Sequence, residues 1–317
     1  MKNFVSKNFK VSIIKLALLI IYIFLFNILY SQQIHSKPFS NLIFSPLIVN
    51  PAIIGSKDYT NFNLISRISG QPTSQLFSAH TRLTKQGDFT NFGIGGYVFH
   101  DRLLKSYNIG ANAGGAYHIP IDKDKMSNIS LGLLLKGIYN VPIKDAELTT
   151  NDSINSMFSP NVDFGIYYYG PTAFAGISVT NGLGNLLNKE LTDQDEAYIP
   201  REYHLYGGYK FLLNRKYAIV LEPSLLLSVT DETFSEAYKH INPYLKLYIQ
   251  NGYIGTYYKD YDHLAFYLQY EFPYLFAGMF FEVPRKVFLT YENIVIEFIL
   301  GINLGKEKSM FPRYRHW

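Results

Sequence analysis

Apolar and polar residues alternate with a period of two over segments of about ten residues, and this feature restricts the fold of the chain more than any other. In residues 263–271 the larger apolar side chains fall on every second position, at Leu264, Phe266, Leu268 and Tyr270. Because successive side chains of a β-strand point to opposite faces, such a segment has one apolar face and one mixed, more polar face. The pattern predicts an all-β protein.

Fourteen segments of this kind follow one another along the chain. They cover approximately residues 58–69, 76–84, 91–100, 108–119, 128–140, 161–169, 173–181, 202–213, 216–228, 240–249, 252–258, 263–271, 275–283 and 292–304. Their number is even, and most are near the roughly 9–11 residues with which a tilted strand crosses a bilayer. We therefore predict a transmembrane antiparallel β-barrel of about 14 strands over residues 58–304.

The joins between these segments separate a barrel from a soluble β-sandwich, which would show the same alternation. Tight turns at 170–171, 214–215, 250–251 and 272–274 alternate with longer joins at 141–160, 182–201, 229–239 and 284–291. Outer-membrane barrels have short periplasmic turns at one rim and long loops at the other. An even number of strands then places both termini in the periplasm. The 27 tyrosines and 24 phenylalanines fit a lipid-facing band with aromatic girdles at its two edges.

The first 31 residues have the layout of a secretory signal peptide. Residues 1–15 contain four lysines and no acidic residue. An uncharged apolar run follows from Leu16 to Leu29, and the small residue Ser31 lies just after it. Without residues 1–31 the formal net charge falls from +4 to zero, so nothing indicates a nucleic-acid surface. The absence of cysteine excludes disulfides, thiolate metal sites and a lipoprotein anchor.

Catalytic and cofactor motifs are missing from the sequence: it contains no G-x-S-x-G, H-E-x-x-H, P-loop or EF-hand pattern. We therefore expect no enzymatic activity, no cofactor and no metal site. Several glycines, Gly93 and Gly114 among them, fall inside predicted strands rather than at a strand-to-helix turn. Glycine at such positions is typical of a bend or of close packing.

Residues 32–57 form a predicted periplasmic segment before the first strand, and strand alternation does not account for it. It is strongly apolar between positions 39 and 56, yet Pro46 and Pro51 exclude a regular helix or a central strand. An apolar segment of this kind should be covered. Two hypotheses remain open: it folds into the mouth of the barrel, or it docks on another protein.

This segment carries a resemblance to a known family. It matches the pattern F-S-x-x-x-F-x-P-L-x-x-N-P-A-x-x-G-S, which resembles the N-terminal signature of the PorP/SprF family, at Phe39, Ser40, Phe44, Pro46, Leu47, Asn50, Pro51, Ala52, Gly55 and Ser56. Further along the chain, 221–224 and 255–258 are similar to the L-x-P-S and G-x-x-Y/R strands of the same family.

The resemblance implies an outer-membrane component of the type IX secretion system of a Gram-negative bacterium, tied in some members to gliding motility. Its implied partners are the periplasmic ring or translocon and a secreted adhesin with a C-terminal sorting domain, whose export or surface anchoring it supports. The alternative is a passive porin or solute transporter, which predicts an open lumen. The predicted partner-binding or plug residues are Phe39, Phe44, Pro46, Asn50, Pro51, Ala52 and Gly55, and residues 305–317 are a predicted tail.

Overall fold

The computed structural model describes residues 43–69, 73–85, 88–102, 106–122, 127–142, 156–184, 200–260, 263–284 and 294–305. The predicted signal peptide, Phe39 and residues 306–317 lie outside this part of the chain. Within it, no helix is both long enough and apolar enough to span a membrane.

The described residues form fifteen strand segments, joined into one antiparallel sheet that closes on itself. They are β1 (Thr60–Ser69), β2 (Thr73–Lys85), β3 (Asp88–Arg102), β4 (Ser106–Asp122), β5 (Ser127–Pro142), β6 (Met157–Tyr169), β7 (Ala173–Thr180), β8 (Glu202–Tyr209), β9 (Phe211–Asn214), β10 (Ile219–Thr230), β11 (Ile241–Ile249), β12 (Gly252–Lys259), β13 (His263–Glu271), β14 (Leu275–Pro284) and β15 (Val295–Leu304). Pairing of β1 with β15 completes the ring.

The barrel has 14 strands, because β8 and β9 are two parts of one strand that both pair with β10. The predicted antiparallel barrel of about 14 strands is confirmed, and each predicted strand overlaps an observed one. One detail differs: the predicted strand 202–213 is interrupted at Lys210, whose side chain is buried.

Three short 3-10 helices complete the described secondary structure: η1 (Pro46–Ile48), η2 (Pro51–Ile53) and η3 (Phe234–His240). The first two precede β1, and the third joins β10 to β11.

Alternation along the strands separates an apolar outer wall from a polar lumen. Leu205, Phe266 and Leu268 are examples from the outer wall, where each is about half exposed. Asn61 and Asp163 face the lumen, where both are buried. The sequence of each strand therefore matches hydrocarbon on one side and a filled polar interior on the other.

The two rims differ in their connections. At the rim where β1 begins and β15 ends, which we call the turn rim, the joins are no longer than four residues, at 86–87, 123–126, 170–172, 215–218, 250–251 and 272–274. The opposite rim carries the long joins at 143–156, 181–201, 231–240 and 285–294, together with three short ones. Both ends of the barrel therefore lie at the turn rim.

Candidate functional site

Residues 43–56 lie inside the barrel lumen, and residues 57–59 lead from them to β1; together we call residues 43–59 the inner segment. Their apolar side chains are almost completely covered: Ile43, Phe44, Leu47, Val49, Ala52, Ile53 and Ile54 are each at most 7% exposed. They form one apolar cluster with inward-facing residues of the barrel wall, including Ile65 and Leu134. The apolar character of this segment is therefore satisfied within the chain itself.

Two prolines and one asparagine set the path of the inner segment. Pro46 and Pro51 each begin a 3-10 helix, where the missing N–H of proline costs no hydrogen bond. The side chain of Asn50 caps η2 by accepting a hydrogen bond from the Ala52 amide at 2.8 Å. Gly55 then reverses the chain with a φ of +72°, in the left-handed region that favours glycine.

A row of small residues on the barrel wall lies against the second half of the inner segment. Strand register places Gly93, Ala116, Gly132, Gly165 and Ser178 side by side across β3 to β7. We call these five the small-residue row.

The glycines of this row leave space for the backbone of the inner segment. A Cβ atom on Gly132 would overlap the backbone of Pro51 and Ala52, and one on Gly165 would overlap the Asn50 side chain. A Cβ atom on Gly93 would similarly strike the Ile54 carbonyl. The close approach therefore requires glycine at these wall positions.

Side chains of the wall hold the carbonyl groups of the inner segment. Ser178 Oγ donates to the Val49 carbonyl at 2.6 Å, and Ser130 Oγ donates to the Ala52 carbonyl at 2.6 Å. His118 Nε2 lies 2.9 Å from the Ile54 carbonyl, which can only accept. His118 therefore carries its proton on Nε2, and its Nδ1 accepts a hydrogen bond from the Tyr169 hydroxyl at 2.9 Å.

The Asn50 side chain makes three hydrogen bonds. Besides capping η2, its Nδ2 donates to the carbonyls of Ile166 at 3.0 Å and Ile177 at 3.3 Å, on β6 and β7. Asn50 is completely buried, so its amide is paired with protein groups instead of water.

The first half of the inner segment meets a different wall. Phe44 makes an edge-on ring contact with Phe280 on β14, with centroids 6.5 Å apart. Its backbone carbonyl accepts from Asn63 Nδ2 at 3.4 Å, and the Ser45 and Ser78 hydroxyls are also 3.4 Å apart. Both distances lie at the long limit of hydrogen bonding. A cavity of about 20 Å³ remains between Ile43 and the tyrosines of the wall, enough for one water molecule.

Ion pairs between strands occupy further parts of the lumen. Four pairs have distances of 3.3 to 3.7 Å between nitrogen and oxygen: Arg67–Glu297, Lys136–Asp163, Lys246–Glu222 and Lys259–Glu282. All four acids are at most 3% exposed at their side chains. Because a buried charge without a partner is costly, pairing is what permits these groups inside the barrel.

Tyr59, at the turn rim, is the last residue of the inner segment before β1 begins. Its side chain is buried, and this burial raises the pKa of Tyr59 above its ordinary value, with the Glu271 and Asp58 carboxylates adding to the rise. The phenol is therefore protonated at neutral pH.

The histidines of the lumen belong to hydrogen-bond networks. His204 hydrogen-bonds Ser228 at 2.8 Å and lies 3.2 Å from the Thr180 hydroxyl, so both of its ring nitrogens have neighbours in the lumen network. No group of three or more His, Cys, Asp or Glu side chains that could hold a metal occurs among the described residues.

Six of the seven residues predicted from the sequence lie in the inner segment: Phe44, Pro46, Asn50, Pro51, Ala52 and Gly55. The seventh, Phe39, is outside the described residues. Phe44, Asn50, Pro51 and Ala52 are buried against the wall.

Sequence reasoning missed the wall residues that contact the segment, chiefly Gly132, Gly165, Ser130, Ser178 and His118. The available signal is glycine inside a strand, which for Gly93 predicts either a bend or close packing; the structure shows close packing there.

The family model described as "Type IX secretion system membrane protein PorP/SprF" matches residues 31–302. No curated protein matches the chain.

Solved structures similar to this chain include three bacterial membrane proteins. The outer membrane protein Omp33 of Acinetobacter baumannii is 8% identical, with a TM-score of 0.41, over 79% of this chain and 100% of that one. BamA from Haemophilus ducreyi lacking POTRA domains 1–3 is 11% identical, with a TM-score of 0.39, over 78% and 70%. The KdgM porin, solved with disordered oligogalacturonate, is 9% identical, with a TM-score of 0.38, over 78% and 99%.

Proposed function

Because the chain belongs to the PorP/SprF family of type IX secretion system membrane proteins, we propose that it supports the export or surface anchoring of a partner adhesin with a C-terminal sorting domain. The chain is an outer-membrane β-barrel of a Gram-negative bacterium, and its family and fold are those of a secretion and outer-membrane protein. The proposal concerns what this barrel does within that secretion system.

The observation that supports this role is the filled lumen. The inner segment crosses the barrel interior on the small-residue row, and buried ion pairs occupy further space. A passive porin or solute transporter, the alternative function, needs an open aqueous path. A barrel with an occupied interior is better suited to making contacts at its rims than to conducting solutes.

We infer that the inner segment acts as a plug and not as a docking peptide. The support is burial: Asn50 and Ala52 are completely covered, and their polar groups are bonded to the barrel wall. The contact surfaces for partners would then be the long joins and the turn rim. Phe39 and its neighbours, which precede the plug, remain predicted contacts.

The lengths of the joins at the two rims support one orientation of the barrel in the membrane. We propose that the turn rim and both termini face the periplasm, toward the ring or translocon of the secretion system. The long joins would face the cell surface, where an exported adhesin is held. The predicted signal peptide, residues 1–31, is consistent with export of the chain to this membrane.

Deleting the gene and measuring the surface proteins of the mutant by mass spectrometry tests the proposed role. We expect one adhesin, or a small set sharing a C-terminal sorting domain, to be lost from the surface, while uptake of small solutes is unchanged. Restored display after complementation is the control. Normal surface display in the deletion strain would overturn the proposal, and a loss of gliding would link the same machine to motility.

Planar bilayer recordings of the purified barrel test the alternative. A filled lumen predicts no steady conductance from the wild-type protein. Stable porin-like conductance steps would favour the porin and would contradict a plug that closes the lumen.

A further inference from the structure

The strand β9 has one edge that no described strand covers. On one side, residues 211–214 pair with residues 219–221 of β10. On the other side, the hairpin of β6 and β7 turns back before β9 begins. The Lys210 amide donates to the Thr172 carbonyl at 2.7 Å, and this is the last bond between the two hairpins. Beyond it, the outer edge of β9 is open along the turn rim.

Residues 211–218, which we call the rim hairpin, project from the barrel wall and are exposed on both faces. Phe211 and Leu213 lie on the outer face, and both are exposed. Leu212 lies on the inner face opposite Val220, yet it is 39% exposed whereas Val220 is 3% exposed. Leu212 is therefore an apolar side chain that extends past the wall, on the side of the barrel mouth and not on the side of the lipid.

Local contacts fix the shape of the rim hairpin. The Asn214 side-chain oxygen accepts a hydrogen bond from the Tyr217 amide at 3.1 Å, and Ala218 takes a φ of +49° at the end of the turn. The ring of Phe211 packs on that of Tyr209, with centroids 4.7 Å apart. The open edge is therefore presented as a formed strand.

An open strand edge offers backbone N–H and C=O groups to which another extended chain can bond. Hydrocarbon cannot satisfy these groups, so lipid is not suited to cover the edge. A strand added there would lie beyond the turn between β6 and β7, and it would cover Leu212. The four residues of β9 are about 13 Å long, which is enough for a short added strand.

The charge of this part of the turn rim indicates the kind of strand that fits. Arg215 and Lys216 are exposed at the tip of the rim hairpin. The three neighbouring hairpin ends, at 169–173, 209–219 and 249–252, contain no acidic residue. A second copy of the chain would bring like charges together at this edge, whereas an acidic strand would meet opposite charges.

The hairpin of β2 and β3 provides a contrast at the same rim. It also continues past its last pairs with β1 and β4. There, however, Lys85 lies opposite Asp88, so the charges at its tip balance. An open edge and an unbalanced positive charge thus occur together at the rim hairpin and not at the hairpin of β2 and β3.

We propose that β9 binds an extended, acidic strand of a periplasmic partner protein, which joins the barrel sheet through backbone pairing. This inference rests on the proposed function, which places the turn rim in the periplasm. Backbone hydrogen bonds provide affinity, and contact with Leu212 buries its exposed side chain. Arg215 and Lys216 select for acidic side chains.

Binding of a defined peptide to the purified full-length barrel in nanodiscs tests the proposal. The probe is a labelled seven-residue peptide, capped at both ends, in which glutamate alternates with valine. Fluorescence anisotropy at low ionic strength should show saturable binding to the barrel and none to empty nanodiscs. The same peptide N-methylated at its five central residues cannot donate to a ladder from either edge. It should bind at least about tenfold more weakly.

Charge reversal at the tip of the rim hairpin tests the selection. The double variant Arg215→Glu/Lys216→Glu should weaken binding of the peptide about tenfold, because two attractive contacts become repulsive. Lys85→Glu is the matched control, since Lys85 is an exposed lysine of the turn rim on β2, and it should change binding less than about twofold. Heat-modifiable migration on gels shows that each variant forms the barrel. If the double variant does not, Leu212→Asn is measured in its place and should also weaken binding.

Several results would overturn the proposal: no saturable binding by the wild-type protein, equal binding of the N-methylated peptide, equal loss in Lys85→Glu, or equal binding to empty nanodiscs. The chain has no cysteine, so Asn214→Cys reports on self-association. A disulfide-linked dimer of this variant in membranes would show that a second copy covers the edge, and it would also overturn the proposal. If surface display requires the gene but the peptide does not bind, the proposed function stands and only the strand pairing at β9 fails.

Discussion

The two halves of the inner segment are both apolar and both contain a 3-10 helix that begins at proline, yet the barrel holds them differently. The second half, residues 49–56, is fixed by five side-chain hydrogen bonds of 2.6 to 3.0 Å at Val49, Asn50, Ala52 and Ile54. Two longer bonds, from Asn50 to Ile177 and from the Gly55 amide to His80, measure 3.3 and 3.4 Å. The first half, residues 43–48, has two side-chain contacts of 3.4 Å and no capping hydrogen bond from Ser45. Burial is common to both halves, but hydrogen bonding distinguishes them.

The cause of this difference lies in the facing walls. Glycine in the small-residue row lets the backbone of the second half approach the sheet, so that its carbonyls come within reach of Ser130 and Ser178. Large rings such as Phe280 hold the first half at side-chain distance. We infer that the second half determines where the plug sits and the first half mainly fills space.

Among the substitutions that distinguish the two halves, we expect Gly132→Val to have the largest effect, and it acts on the second half. Its side chain would occupy the space of the Ala52 backbone, so the second half cannot stay on the row. Overpacking of this kind costs about 3 kcal/mol or more. We expect conductance steps in planar bilayers and rapid hydrogen exchange in a peptide covering residues 43–59, neither of which the wild-type protein should show.

Gly137→Val is the matched control, because Gly137 lies on the same strand and faces the opposite side of the sheet. A Cβ atom there meets first the exposed ring of Phe158, at 3.1 Å, which can move aside. Equal conductance from the two variants would mean that the row does not position the plug.

Asn50→Ala is expected to loosen the same half without a clash. It removes the cap of η2 and both bonds to the wall, with a cost of about 2 kcal/mol in the free energy that keeps the segment closed. Asn50→Ser keeps a capping oxygen and loses the bonds to Ile166 and Ile177, so its cost should be about half as large. Hydrogen exchange measured by mass spectrometry compares the two variants. Identical protection in both would show that the bonds to the wall contribute nothing.

Physical reasons explain which of these features could be predicted from the sequence. Strand alternation depends on neighbouring residues alone, and it predicted the barrel and the approximate extent of each strand. The covered position of the inner segment was one of two hypotheses, because apolarity requires burial but does not say against what. The contacts of Asn50 with Ile166 and Ile177 join residues more than 100 positions apart, and no local pattern reports them.

Two further features could not be predicted from the local sequence pattern. Gly132 looks like any strand glycine in the sequence, and its role appears only when register sets it beside Gly165 and Ala116. The break at Lys210 was not predicted, since alternation continues through that position.

Ser130→Ala and Ser178→Ala test the wall contacts of the second half with smaller changes. Each removes a 2.6 Å hydrogen bond to a carbonyl of the second half. Each should therefore lower the opening free energy, which is the free energy needed to release the inner segment from the wall, by about 1 kcal/mol. Ser130 Oγ also lies 3.2 Å from the Tyr167 carbonyl, but its single O–H already donates to Ala52, so the two variants should cost about the same. The double variant should be close to additive, because the two bonds hold different carbonyls. A double variant no worse than either single one would indicate that the two serines do not act independently on the segment.

Ser45→Ala is expected to have the smallest effect, and it provides the direct comparison with Ser178→Ala. Each change removes one hydroxyl between the inner segment and the wall: Ser45 belongs to the first half, and Ser178 is a wall residue that bonds the second half. The Ser45 hydroxyl lies 3.4 Å from that of Ser78, so its loss should change the opening free energy by less than about 0.5 kcal/mol. Hydrogen exchange of residues 43–48 and 49–56, measured separately, checks this. If Ser45→Ala opened the segment as much as Ser178→Ala does, the first half would be a second point of attachment, and the distinction between the halves would fail.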